Sequence, residues 1–319
     1  MLYGFVKIIA RIALHFYCRD IKINNAALLQ ASGPLLLAAN HPNSFLDAIL
    51  LCTLFKQPVY SLARGDAFKK PWTAKLLTAL KMLPVYRVSE GVENMEENYT
   101  TFELCKNIFR QNGIVLIFSE GQCVNEWHLR PLKKGTARLA VSSWQEGIPL
   151  KALPVGINYQ SFGKFGKQVH LNFGTPVTYD EISVKEGQGR LLQAFNNILF
   201  TQLAPLVYEI EPGDTKKLKA TFHLPQPGWK KVLLWLPSLV GRCLHAPLYC
   251  YLERRVKAKR ASSDHFDSLV VSLLLFSYPF YILFFTLGAL LLPGHWWWLP
   301  IVVFPFTAWS HLQLKNQFS

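Results

Sequence analysis

The chain is short of acid. Against 34 Lys and Arg it sets 20 Asp and Glu, for a formal net charge of +14, and only 17% of its residues are charged at all. Soluble domains usually carry about 25%. A basic, charge-poor chain points to nucleic acid, an anionic membrane or an anionic substrate as partner. Nucleic-acid binding calls for clustered bases with stacking aromatics in a soluble domain. Here the aromatics crowd apolar stretches instead, so no nucleic-acid partner is expected and the membrane is favoured. Cysteines are few and scattered (Cys18, Cys52, Cys105, Cys123, Cys243, Cys250), and none forms a CxxC pair. That excludes a disulfide framework and a zinc site and fits reduced thiols. Cys123 stands near Glu120 without the local signature of a cysteine nucleophile. Internal repeats and low-complexity tracts are missing. Charge is missing entirely from residues 269–292.

What is present alternates. Residues 35–39, 58–63, 83–86, 114–118 and 152–157 are short apolar runs, and 168–174 alternates like one further strand. Between them, 45–56, 71–82, 93–111 and 134–146 have helical periodicity, and 188–210 reads as a closing helix. Strands alternating with helices predict an α/β domain, a mostly parallel sheet flanked by helices. Glu211-Pro212-Gly213-Asp214 is a breaker cluster. It sets the expected boundary between a catalytic domain at 1–213 and a membrane-anchoring, α-helical region at 214–319.

Both ends of the chain bear on the membrane. Residues 1–18 are apolar, with Lys7, Arg11 and His15 spaced to share one helix face. They predict an amphipathic helix on an anionic membrane surface, or a surface helix packed on the domain. A signal peptide would carry its charge first and end in small residues. Residues 269–292 are long enough to cross a bilayer as a helix. Pro293-Gly294 can turn the chain into a second apolar run edged by Trp296, Trp297, Trp298 and Trp309, the placement that suits membrane interfaces. A helical hairpin over 269–311 is expected, with a re-entrant or tilted second segment as the alternative. The basic run Glu253 to Arg260 precedes the hairpin, which puts that side, and the catalytic domain with it, on the cytoplasmic face.

Four segments carry the chemistry, each after an apolar run: Asn40-His41-Pro42-Asn43-Ser44-Phe45-Leu46-Asp47, Leu83-Pro84-Val85-Tyr86-Arg87, Phe118-Ser119-Glu120-Gly121 and Leu153-Pro154-Val155-Gly156. Pro42 disfavours helix at His41, which puts His41 in a loop. Ser44 to Asp47 has the capping-box pattern of a helix start. Folded over, the carboxylate can reach the imidazole. A neutral imidazole can deprotonate a hydroxyl near pH 7, and a carboxylate on its other nitrogen fixes the tautomer. Arg87 is suited to clamp a phosphate, or to pair with Glu90. Lys133, Lys134 and Gly135 open a helix, where cations and free amides make an anion site.

The order and spacing of these segments resemble the glycerolipid acyltransferase family, which moves fatty acyl groups onto glycerol phosphates and lysophospholipids. The resemblance covers roughly residues 30 to 160. It implies His41 and Asp47 as the catalytic pair. Arg87, Glu120, Gly121, Lys133 and Lys134 fall at substrate-binding positions, with Arg64 in the stretch ahead of the second motif. It implies an acyl-CoA or acyl carrier protein thioester as donor, glycerol 3-phosphate or lysophosphatidic acid as acceptor, and neither metal nor cofactor. The chain departs from the family in three places. Five residues rather than four separate His41 from Asp47, Ser119 stands where proline is usual, and Gln122-Cys123 stands where a Thr-Arg or similar pair is usual. Acylation of another lipid, such as an aminolipid or lysophospholipid, and a catalytically silent lipid-binding protein stay open as alternatives.

Overall fold

The computed structural model describes residues 1–86, 95–182, 187–260 and 264–315. Two compact units emerge. The first comprises Met1–Arg11, Lys22–Asn158 and His170–Glu211, and the second Ile12–Ile21, Tyr159–Val169 and Pro212–Ser319. The division at Glu211–Pro212 falls in the breaker cluster. The units are discontinuous in sequence, however, and short pieces from near the start and the middle of the chain group with the C-terminal helices.

The strands are β1 (Cys18–Ile23), β2 (Leu35–Ala39), β3 (Val59–Arg64), β4 (Met82–Val85), β5 (Ile114–Phe118), β6 (Lys151–Tyr159) and β7 (Lys167–Phe173). They form one sheet in the order β1-β7-β6-β2-β5-β3-β4. β2 lies parallel to both β5 and β6, and β3 lies parallel to β4 and β5. All five residues of β2 are buried, as expected of a central strand covered on both faces. The order jumps back and forth across β2 because each parallel partner needs a crossover helix. Those helices are α2 (Phe45–Leu54), α3 (Pro71–Ala79), α4 (Met95–Arg110) and α5 (Lys134–Gln145), closed by α6 (Gln188–Leu203). The core packs Leu36 and Val115 of the central strands against Phe109, Leu139, Trp144 and Phe195 of α4, α5 and α6.

α1 (Leu2–Tyr17) forms as expected, but its cations point the other way. The Lys7 ammonium donates to the carbonyls of Phe55 and Lys56, and Arg11 donates to that of Thr53 at 2.8 Å. These carbonyls lie at the C-terminus of α2, where helix acceptors lack intrahelical donors and the dipole favours cations. The face left exposed carries Leu2, Phe5 and Ile8. The expectation of a basic stripe facing anionic lipid is thus corrected for Lys7 and Arg11: the spacing was right, and the partner is protein.

The second unit is helical: α7 (Thr215–Phe222), α8 (Gly228–Arg260), α9 (Phe266–Leu290) and α10 (Leu299–Leu314). α9 contains all but the last two residues of the charge-free run and exposes Phe276, Phe280 and Phe284 along one face. Its 25 residues, with a mean hydropathy of 2.0 over an 18-residue stretch, are enough to cross a bilayer by length and composition. Among the described residues it alone meets that measure; α10 is shorter, at 16 residues. At the start of α9, Asp267 is fully buried against the equally buried Lys167 ammonium and also accepts from the Tyr17 hydroxyl.

Candidate active site

The site is built at the carboxyl end of β2, where the chain leaves the sheet between two parallel neighbours. Ligands of open α/β sheets bind at such edges. The register pairs Ala39 with Phe118 of β5 and with Val155 of β6. The residues that follow Ala39 and Phe118 therefore emerge side by side. Asn40 extends the sheet with its side chain. Its Nδ2 donates to the Ile157 carbonyl at 3.1 Å, and its Oδ1 accepts from the Ile157 amide at 2.7 Å. A carboxamide that imitates a peptide group in this way pins the strand end from which His41 departs.

His41 is held on three sides. Its Nδ1 lies 2.8 Å from Asp47 Oδ2. Its ring stacks on Phe118, centroids 3.8 Å apart and planes 8° from parallel. Its backbone amide donates to Glu120 Oε2 at 2.9 Å. The Asp47 side chain is wholly buried, while the imidazole keeps 15% exposure. With Nδ1 committed to the carboxylate, Nε2 is the nitrogen left for chemistry. Asp47 Oδ2 also accepts from the Asn43 amide at 2.8 Å, so the same oxygen folds the loop and orients the ring. The five-residue spacing is accommodated at Ser44, which takes φ +55, a conformation uncommon for residues other than glycine. The capping box is not formed. Ser44 is the N-cap of α2, but its side chain makes no capping bond. Its amide instead donates to Cys123 Sγ at 2.9 Å.

Glu120 is nearly buried, and its two oxygens accept the backbone amides of His41 and Arg130, at 2.9 and 3.0 Å. Burial raises its pKa above 4.5. The two amides and the His41 ring pull it back, and Asp47 pushes it up. Gly121 has φ +72, and a Cβ there would lie 2.9 Å from Lys133 Cγ, so a side chain is excluded twice over. Ser119 accepts from Thr136 through its hydroxyl at 3.0 Å, and its carbonyl accepts the Lys133 amide at 2.7 Å. The start of α5 is thereby tied to the end of β5. Lys133 is the N-cap of α5, Lys134 its first residue, and both are exposed.

Arg64, at the end of β3, is half exposed and grips Asp66 with both Nε and a terminal nitrogen, at 3.2 and 2.6 Å. Arg87 lies outside the described residues. Its predecessor Tyr86 is fixed by Asn98, which accepts from the Tyr86 amide at 2.9 Å and donates to its carbonyl at 2.8 Å. The structure therefore brings His41, Asp47, Glu120, Gly121 and Lys133 together and leaves Arg64 engaged elsewhere. Asn40, Phe118 and Cys123 take part without having been singled out for these roles. A polar residue between a buried strand and the histidine was the signal available for Asn40.

An imidazole oriented by a buried carboxylate at a parallel-sheet edge is chemically able to act as a general base. The sequence model of the Acyltransferase family matches residues 20–158, which contain every part of that site. A curated relative, the glycerol-3-phosphate O-acyltransferase 2 of Saccharomyces cerevisiae (strain ATCC 204508 / S288c), is 28% identical over 166 residues. The match takes in 49% of this chain and 21% of the relative, so the chain spans about a fifth of that protein's length. Among solved structures, the 1-acyl-sn-glycerophosphate (LPA) acyltransferase PlsC from Thermotoga maritima matches with a TM-score of 0.40 and 16% identity. That match covers 62% of this chain and 78% of the PlsC chain. Residues 20–158 thus match the Acyltransferase family model, and this stretch is similar to a glycerolipid acyltransferase.

Proposed function

We propose that the chain moves a fatty acyl group from an acyl thioester, of coenzyme A or acyl carrier protein, to a hydroxyl of glycerol 3-phosphate or lysophosphatidic acid. The observation that carries this reading is the 2.8 Å contact between His41 Nδ1 and buried Asp47. His41 Nε2 takes the proton of the acceptor hydroxyl as its oxygen attacks the thioester carbonyl. Asp47 holds the opposite nitrogen and stabilises the imidazolium. The carbon–sulfur bond breaks, an ester forms, and the departing thiolate takes the proton back. Lys133 and Lys134 at the start of α5, with Arg87, are assigned to the acceptor phosphate. Arg64 can join them only by leaving Asp66. Glu120 and Gly121 serve this reading as the scaffold of the loop. No metal or prosthetic group is required by these steps.

Membrane attachment belongs to the same proposal. It is supported by the length and apolarity of α9 and by the exposed Leu2, Phe5 and Ile8 of α1. The hairpin formed by α9 and the following apolar run anchors the chain, with the catalytic domain on the cytoplasmic side by the positive-inside rule.

The test is an acceptor screen on purified membranes with a labelled acyl thioester, run on the wild type and on His41→Ala. Transfer should fall at least about 10²–10⁴-fold in the variant with folding retained. Near-wild-type turnover in a folded variant rules out His41 as the base. A best acceptor without phosphate moves the reading to another lipid.

A further inference from the structure

The helical unit contains a cavity that acyl transfer at His41 does not use. It has a volume of about 980 Å³ and is lined only by residues of that unit. Four cations converge on it: Arg19 from β1, Lys231 and Arg242 from α8, and Lys315 just past α10. No Asp or Glu lines it. Among the described residues, none of the four makes an ion pair with a carboxylate. Arg19 is nearly buried and donates to the carbonyls of Leu312, at 2.9 Å, and of Lys315. The Lys315 ammonium donates to the Phe165 carbonyl at 2.6 Å. These are neutral acceptors, so these bonds leave the charges of Arg19 and Lys315 in place. Burial, then Lys164, Lys167 and Arg19, lower the Lys315 pKa to about 8, and Glu253 opposes them weakly. Burial lowers Arg19 to about 10.

The wall is amphiphilic as well as basic. Along α8, Lys231, Trp235, Leu239 and Arg242 recur on one helix face, so an aromatic and an aliphatic side chain lie between two cations. Gln226, also in the lining, has its Oε1 buried without a hydrogen-bond partner. Such an atom invites a donor, which a ligand hydroxyl supplies. A cavity of this size lies at the upper end of the range for small-molecule sites. Converging cations, an apolar stripe and one unsatisfied acceptor are matched by an anion that carries a hydroxyl and an apolar stem.

We propose that this cavity binds a phosphate-bearing glycerolipid, its phosphate held by Arg19, Lys231, Arg242 and Lys315 and its apolar stem lying along Trp235 and Leu239. The site shares no residue with the His41 pair, so the proposal stands apart from the acyl-transfer reading. The same chemistry could be met by a soluble phosphate ester. The test therefore offers the full-length protein, in neutral detergent, phosphatidic acid, phosphatidylcholine, glycerol 3-phosphate and inorganic phosphate, with binding read by native mass spectrometry and by thermal shift. Phosphatidic acid is expected to bind at least about tenfold more tightly than phosphatidylcholine, and both soluble phosphates to compete poorly.

Lys231→Gln with Arg242→Gln changes two exposed side chains, so it should leave the fold intact and cost about tenfold or more in phosphatidic acid affinity. Lys216→Gln with Lys217→Gln, on exposed positions of α7, removes the same charge elsewhere and should change little. Equal loss in both pairs, no preference for phosphatidic acid, or full competition by inorganic phosphate overturns the lipid site. Arg19→Lys keeps the charge but not the fork. It should weaken phosphatidic acid binding with its melting temperature near that of the wild type, and undiminished binding counts against Arg19 as a ligand-holding group.

Discussion

Two aspartates of this chain are equally buried and differently employed. Asp47, in the sheet-bearing unit, and Asp267, in the helical unit, both have no exposed side-chain surface. Asp47 faces an imidazole that keeps 15% exposure and leaves its Nε2 for general-base chemistry. Asp267 faces an ammonium with no exposure at all, and the Tyr17 hydroxyl takes its other oxygen. Burial is therefore not what marks a reactive carboxylate. What marks it is a partner that can change its protonation state and reach solvent or substrate. The Lys167–Asp267 pair reaches neither solvent nor substrate, and with Tyr17 it joins the end of α1, the start of β7 and the start of α9.

The largest expected effect comes from breaking the first pair. Asp47→Asn keeps the shape and removes the charge that orients the imidazole. A triad carboxylate changed in this way in a serine protease costs about 10⁴ in kcat, and a loss of about 10³–10⁴ is expected here. Melting temperature should shift little by comparison, although the Asn43 amide exchanges a charged acceptor for a neutral one. Steady-state kinetics beside a thermal melt checks both halves. A variant that unfolds while keeping its specific activity would make Asp47 a structural residue like Asp267.

Asp267→Asn should do the converse. It leaves the Lys167 ammonium buried without its counter-charge, which typically costs about 3–5 kcal/mol. Denaturant titration of the solubilised protein should find that loss, with kcat per folded molecule preserved. Replacing both partners, Lys167→Met with Asp267→Leu, should recover most of it, because a buried pair exchanged for apolar residues is often neutral. If the double variant is as unstable as the single one, the Tyr17 hydrogen bond rather than the ion pair holds the junction.

The contrast also explains what could be read in advance. The central strands were legible because buried parallel strands are continuous apolar runs, as in Leu35–Ala39 and Ile114–Phe118. β1 was not, since Cys-Arg-Asp-Ile-Lys-Ile mixes polar and apolar residues and owes its place to the sheet edge. The histidine and aspartate were legible because a proline and a helix start fix their loop locally. Lys7 and Arg11 show the limit. Periodicity identifies the stripe, but only tertiary structure says that the α2 carbonyls lie beneath it. Asp267 was hidden for the same reason, its partner lying a hundred residues away in sequence.

Glu120 falls between the two aspartates and gives the smallest, most discriminating test. It is nearly buried, like Asp267, yet it holds two backbone amides rather than a cation, and one of them belongs to His41. Gln offers one oxygen where two amides need acceptors, so Glu120→Gln should cost about 1–3 kcal/mol for the amide left unmatched. Removing a buried charge offsets part of that. The offset depends on pH in a definite direction. The folded pKa lies above the ordinary 4.5, so the stability Glu120 contributes is fully present below the unfolded value and is lost as pH rises through the folded one. Wild type should therefore gain stability over Glu120→Gln as pH falls toward 4.5, and the stability difference should level off above the folded pKa. In kinetics, a bracket for the His41 loop lowers kcat with an unchanged acceptor KM, at about tenfold for each 1.4 kcal/mol of lost transition-state stabilisation. An acceptor-binding carboxylate raises KM instead. A selective rise in acceptor KM, with stability unaltered across that pH range, would move Glu120 out of the scaffold and into contact with the substrate.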